Sequence, residues 1–102
     1  MPQLFTPITL RDITLKNRTV IAPMGQYSAV EGIAQPGHMV QYGRVAVGGA
    51  GMVMVEASAV SPEGRITHGD VGIWSDAHAD ALAPIAAFVK SQGATPAIQL
   101  AH

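Results

Sequence analysis

Met52-Val53-Met54-Val55 runs apolar without polar alternation, and it lies between two segments of helical periodicity. A strand covered on both faces reads this way, and such strands belong to parallel sheets. Two further runs have the same character. Thr19-Val20-Ile21-Ala22 is stopped by Pro23, and Thr95-Pro96-Ala97-Ile98-Gln99-Leu100 closes the chain. Between the first two, Gly37–Val47 carries apolar residues at helical spacing and ends at Gly48-Gly49. Between the second and third, Ser75 and Asp76 offer capping chemistry for a helix over 77–92, with Leu82, Ile85, Ala86 and Val89 as its apolar stripe and Gly93 as its stop. Pro84 falls inside that helix and predicts a kink or a later start.

Before the first strand, Leu4, Ile8, Leu10, Ile13 and Leu15 alternate loosely with polar residues around Arg11-Asp12. This is hairpin patterning. Residues 1–17 therefore read as a hairpin lid, and residues 18–102 as a β-α-β-α-β unit. Such alternation implies parallel strands with right-handed crossovers. The three strands are expected near 19–22, 51–57 and 95–100, adjacent and in sequential order.

Two architectures begin this way, an open doubly wound sheet and a (β/α)8 barrel. A barrel needs roughly 250 residues, and this chain has 102. The fold class expected is α/β: the N-terminal part of a (β/α)8 TIM barrel, with the hairpin, three strands and two helices. Only 13% of residues are charged while 48% are hydrophobic, a deficit that fits strands needing cover from elsewhere. Three strands also leave two raw edges. The chain stops at His102, directly after a strand. The expectation is a piece that does not function alone and packs against a complementary chain or the remainder of the barrel.

With no cysteine, disulfides and thiolate chemistry are excluded. A net charge of −1 offers no basic patch for nucleic acid. No apolar run approaches the length of a bilayer span, and the N-terminus carries no signal-peptide pattern, so the default location is cytoplasmic.

In either architecture ligands gather at the carboxyl ends of the strands. There stand Ala22-Pro23-Met24-Gly25, Glu56-Ala57-Ser58 and Gln99-Leu100-Ala101-His102. The set is small, apolar or amide-bearing, suited to a flat heterocycle and poor in acid–base groups. An ordinary barrel top fits the same residues. Met24 suits an aromatic ring or the core, and Tyr27 could donate a hydrogen bond to a substrate carbonyl. Glu56 reads as a buried ion pair or hydrogen bond. Glu63 and Arg65 read as loop contacts, Trp74 as a packing anchor, and His38, His68 and His78 as surface or cap residues. Gly48-Gly49-Ala50-Gly51 follows a helix and precedes a strand, so it reads as a turn and not as a phosphate loop.

Seven ordered motifs then carry a likeness: Leu4-Phe5-Thr6-Pro7, Leu15-Lys16-Asn17-Arg18, Ala22-Pro23-Met24, Val55-Glu56-Ala57-Ser58-Ala59-Val60, Pro62-Glu63-Gly64-Arg65-Ile66, Gly72-Ile73-Trp74-Ser75-Asp76 and Ile98-Gln99-Leu100-Ala101-His102. Together they resemble the Old Yellow Enzyme family, in particular its bacterial thermophilic-like branch, which includes xenobiotic reductases. The resemblance covers about the first third of a family member. It implies a barrel closed below by the hairpin, with FMN across the top passing a hydride from NAD(P)H to the activated C=C bond of an α,β-unsaturated carbonyl compound. Ala22, Pro23, Met24 and Gly25 would line the flavin ring, Ala57 would touch its edge, and Gln99 would bond the pyrimidine edge. Tyr27 would assist substrate binding. The branch usually has cysteine where Gly25 stands, which would leave a small void above the ring. The family's substrate-anchoring His pair and phosphate loops would lie beyond residue 102. A complete member is expected to be a homo-oligomer. The alternatives are an inactive half-barrel fragment or interaction module, and a dienoyl-reductase relative.

Overall fold

The computed structural model describes residues 2–102. Strands β1 (Ile8–Leu10) and β2 (Ile13–Leu15) form the expected antiparallel hairpin, with Leu10 opposite Ile13. Its two-residue turn is Arg11-Asp12, with Arg11 at φ 54°. Only Leu15 of the hairpin strands is buried.

The second sheet consists of β3 (Val20–Ile21), β4 (Met52–Ala59), β5 (Val71–Gly72) and β6 (Thr95–Ala101). Every strand in it pairs with β4, and every pairing is parallel. Strand β6 takes one edge of β4 from Met52 to Ala59. The other edge is therefore shared end to end, by β3 against Met52-Val53 and by β5 against Ser58-Ala59. The three strands read from the sequence appear at their positions and in order. Strand β5 was not expected, because two residues, one of them glycine, carry no readable period.

Helix α1 (Pro36–Val47) starts on a proline, whose fixed φ and missing N–H suit a first helical turn. It stops at Gly48-Gly49, where Gly49 takes φ 106°. Helix α2 (Asp76–Ser91) begins at Asp76 despite Pro84, so the later start is corrected. Pro84 removes the N–H that would bond the Asp80 carbonyl, and both residues lie on the exposed side where water can satisfy it. The Ser75 hydroxyl meets the His78 ring at 2.6 Å and makes no bond to a backbone N–H of the helix.

Both helices cover one face of the sheet, and Tyr42, Ala46, Val53, Val55, Ile85 and Val89 fill the space between. The edges are bare. Val20 is 48% exposed and Ile21 half-buried, so β3 is not the buried strand expected from its β-branched run. The pattern of such a strand reports neighbours on both sides, and here one side has none. Leu100 on β6 is likewise exposed. The molecule is a slab of 45 × 24 × 20 Å. Among the described residues, no helix is long and apolar enough to cross a membrane.

Candidate functional site

Because β3, β4 and β6 are parallel, their carboxyl ends share one end of the slab. The hairpin is tied to the opposite end. There Lys16 Nζ donates to the Gln92 carbonyl beyond α2 at 3.0 Å, and Asn17 Nδ2 donates to the Gly49 carbonyl beyond α1 at 2.8 Å.

At the carboxyl end, β3 gives way to the irregular stretch 22–29. Its backbone takes a left-handed step at Tyr27, φ 56°, and Ala29 N–H donates to the Gly69 carbonyl at 2.9 Å. A Cβ on Gly69 would stand 2.2 Å from the Tyr27 carbonyl oxygen, so only glycine admits the turn at this point. A Cβ on Gly25 would lie 3.4 Å from the Tyr27 ring. The ring thus borders the space that a side chain at residue 25 would enter.

The turn is fastened to β4 by Glu56. Gln26 N–H donates to Glu56 Oε1 at 3.2 Å, and Gln26 Nε2 donates to Oε2 at 3.2 Å. Beneath them the carboxylate is 1% exposed. The Tyr42 hydroxyl donates to Oε2 and accepts the N–H of Glu56 itself at 3.0 Å. His38 Nε2 stands 3.6 Å from Oε1, an electrostatic contact longer than a hydrogen bond. Gln35 N–H donates to His38 Nδ1 at 2.9 Å, which leaves the ring proton on Nε2, facing Glu56. Burial pushes the Glu56 carboxyl up, but the Nε2–H that His38 turns to it and the bonds from Tyr42 and the Gln26 backbone outweigh this and hold it below its ordinary value. Burial, reinforced by the neighbouring carboxylate, pushes the Tyr42 phenol well above its usual range.

Beside Glu56 the sheet is irregular. Val55 pairs with Ile98 and Ser58 with Leu100, so Glu56 and Ala57 together oppose Gln99. This is a β-bulge, which re-aims side chains and recurs beside active sites. Val55 and Glu56 are consequently both buried, where strict alternation would bury one. The bulge sets Ala57 against Gln99, and Glu56 ties the same place to residue 26.

The structure therefore brings Ala22–Gly25, Ala57 and Gln99 to one end of the sheet. Ala22, Met24, Gly25, Tyr27 and Gln99 are exposed, while Pro23 and Ala57 are half-buried. Met24 is 59% exposed, which excludes a place in the core of this chain. His38 and His78 occupy helix starts as cap residues, but both are buried, so the surface reading is corrected. Trp74 packs on the His78 ring at 4.1 Å, with the Arg65 guanidinium 5.4 Å from its own ring centroid. The sequence reading did not single out Tyr42. Its signal is the four-residue spacing from His38, which puts both side chains on one helix face.

Residues 3–102 match the NADH:flavin oxidoreductase / NADH oxidase family. The chain is 53% identical, over 98% of its length, to the NADPH dehydrogenases of Bacillus licheniformis and Bacillus subtilis. It spans about 30% of the length of these curated relatives. Among solved structures, all of the chain superposes on 28% of morphinone reductase in complex with tetrahydroNAD, with a TM-score of 0.88 and 30% identity. Old Yellow Enzyme from Trypanosoma cruzi gives a TM-score of 0.87 at 30% identity, over 99% of this chain and 27% of that one. The hairpin, the parallel strands and the two helices are thus part of the (β/α)8 barrel of those enzymes. On a match that takes in all but the first two residues, the chain belongs to the NADH:flavin oxidoreductase / NADH oxidase family.

Proposed function

We propose that this segment contributes one flank of the flavin site of an FMN-dependent oxidoreductase that uses NAD(P)H to reduce the activated C=C bond of an α,β-unsaturated carbonyl compound. The observation that carries the reading is the meeting of three segments, 22–27, 56–57 and 99, at the carboxyl end of one parallel sheet. The residues fit a flavin. Ala22 and Gly25 are small and exposed, the Tyr27 ring lies beside the open space at Gly25, and Gln99 presents an uncharged amide.

In this reading the backbone of Ala22–Gly25 would hold the isoalloxazine ring, with Ala57 at its edge, and Gln99 would offer its amide to the pyrimidine side. Tyr27 donates a hydrogen bond to the substrate carbonyl, polarising the C=C bond. When bound, FMN supplies the hydride chemistry, and the protein supplies position and exclusion of water. The hairpin, fixed at the amino ends of the strands, closes the lower mouth of the barrel.

The segment acts with the rest of a barrel. An apolar cavity of about 330 Å³ opens between α2 and β6, lined by Leu82, Ala86, Val89 and Ile98 among others. With the bare edges of β3 and β6, it suits five further strands and their helices, with more than about 2,000 Å² buried between the two parts. The test is a complete barrel, with this segment joined to the remaining sequence of the Bacillus subtilis relative. It should purify with FMN and oxidise NADPH when given 2-cyclohexenone. A folded barrel that takes up no FMN would overturn the reading. A folded, monomeric 102-residue chain that binds FMN would overturn the need for the remainder.

A further inference from the structure

The turn that would face the flavin has no regular structure of its own. Between Ile21 and the bridge at Val30, its backbone is held by two contacts: Ala29 N–H on the Gly69 carbonyl, and Gln26 N–H on Glu56. The second is made by a side chain that is otherwise expensive. A carboxylate at 1% exposure needs most of its oxygen lone pairs satisfied, or it destabilises the fold. A neutral or apolar residue at position 56 would fill the same place under α1 without that demand. The groups around Glu56 also divide by role. Tyr42 and His38 come up from α1 to hold the carboxylate, and both of its oxygens are turned to residue 26.

The network has slack on one side only. His38 Nε2 is buried without a hydrogen-bond partner, while the Gln26 bonds are made. An unpartnered buried donor calls for an explanation. Here the carboxylate sits towards the turn, and His38, its Nδ1 taken up by the Gln35 N–H, turns only the dipole of its Nε2–H to it across 3.6 Å.

We propose that Glu56 is a positioning residue for the cofactor: with Tyr42 and His38 as its base, it sets where the backbone of residues 22–27 stands, and through the bulge it sets where Ala57 stands relative to Gln99. It does not touch substrate or flavin. It acts through Gln26 on one side and through its own backbone on the other. The proposal rests on the flavin site described above.

The test uses the complete barrel in three variants, Glu56→Gln, Tyr42→Phe and Asn17→Ala. Glu56→Gln keeps the shape but places an amide where two oxygens accepted, so one of the donors loses its acceptor. Tyr42→Phe removes the hydroxyl from beneath while both Glu56 oxygens remain to accept from Gln26. Asn17→Ala disturbs the other end of the sheet. Two quantities are read: amide hydrogen exchange at Gln26 in the FMN-free protein, and the dissociation constant of FMN with its visible spectrum. Exchange at Gln26 should accelerate in Glu56→Gln and, more weakly, in Tyr42→Phe. FMN should bind about tenfold more weakly in Glu56→Gln, the loss of one charge-assisted hydrogen bond, with a displaced flavin band. Asn17→Ala should leave both quantities at the parent's values. Unchanged Gln26 exchange and an unchanged flavin band in Glu56→Gln would overturn the proposal. So would equal changes in Asn17→Ala, since the effect would then be general loosening. Should Glu56→Gln not fold, Tyr42→Phe decides by the same two readings. A parent barrel without FMN would sink the functional reading, while the exchange measurement would still decide whether Glu56 holds the turn.

Discussion

The two ends of β3 are fastened by the same kind of device, one to the turn before β4 and the other to β4 itself, built from opposite chemistry. The strand has two residues and pairs only with Met52 and Val53, too little to fix its own position. At the amino end the fastener is Asn17. Its Nδ2 donates to the Gly49 carbonyl, and its Oδ1 accepts from Thr19 N–H at 3.0 Å and from Thr19 Oγ1 at 2.7 Å. At the carboxyl end it is Glu56, reaching from β4 to Gln26. Each end also has a glycine that admits the neighbouring chain. A Cβ on Gly51 would stand 2.4 Å from the Asn17 carbonyl oxygen, and one on Gly69 would stand 2.2 Å from that of Tyr27. The amino end uses a neutral, half-buried amide with its bonds made. The carboxyl end uses a buried charge with a donor left over. Neutral hydrogen bonds suffice for holding. A buried charge at the other end is a cost that stability alone does not explain, and it stands beside the residues proposed for the flavin.

Removing the charged fastener should have the largest effect. Glu56→Leu leaves Gln26 and Tyr42 without their acceptor and His38 Nε2 without the carboxylate it faces, and should destabilise the complete barrel by about 3–5 kcal/mol in urea unfolding. Because the folded carboxyl is held below its ordinary value, its contribution is present above the ordinary carboxylate pKa. It fades as pH falls from there through the lower folded value, when the group takes up its proton. The stability gap between the parent and Glu56→Gln should therefore narrow on acidification. A gap that widens would show that the group is protonated in the folded state at neutral pH.

The glycine pair sharpens the contrast. Gly69→Ala and Gly51→Ala each force backbone apart by a similar overlap, and each should destabilise the fold by about 2–3 kcal/mol. Only Gly69→Ala should weaken FMN binding, because only it pushes on residue 27. Equal effects on FMN would mean that the two ends are mechanically coupled through β3.

The amino-end fastener comes next. Asn17→Ala should destabilise by about 1–2 kcal/mol, since its groups are half-buried and water can replace part of what is lost. The loss should appear in thermal unfolding with the flavin spectrum unaltered.

The two ends also differ in how far the sequence disclosed them. Hairpin, strands and helices announce themselves by period, by Arg11-Asp12 and Gly48-Gly49 at the turns, and by Gly93 at the end of α2. The seven motifs brought Ala22–Gly25, Ala57 and Gln99 into view by likeness. What stayed hidden is non-local. Strand β5 exists only because β4 offers it a free edge beyond β3. The bulge opposite Gln99 is a property of pairing between β4 and β6 and leaves no mark on either segment alone. His38 reads as a cap, and it is one, but its other nitrogen serves a carboxylate eighteen residues on, in the next element. Val20 and Ile21 read as buried because their run is apolar on both faces, while in this structure one face is left uncovered.

The smallest effect expected is at Gln99, and it distinguishes contact from support. Gln99 is exposed, opposite the bulge, and carries no charge. Gln99→Ala should leave the unfolding midpoint of the FMN-free barrel within error, since a solvated side chain at the end of β6 contributes little to packing. It should weaken FMN binding by about 0.5–1.5 kcal/mol, the range of one uncharged hydrogen bond. Glu56→Gln is expected to move stability and binding together, because its carboxylate is buried beneath the turn. Titration of FMN into both variants, with their unfolding curves beside it, separates the two roles. If Gln99→Ala binds FMN as the parent does, the amide does not meet the pyrimidine edge, and the bulge aims Ala57 at the flavin with no help from the residue it opposes.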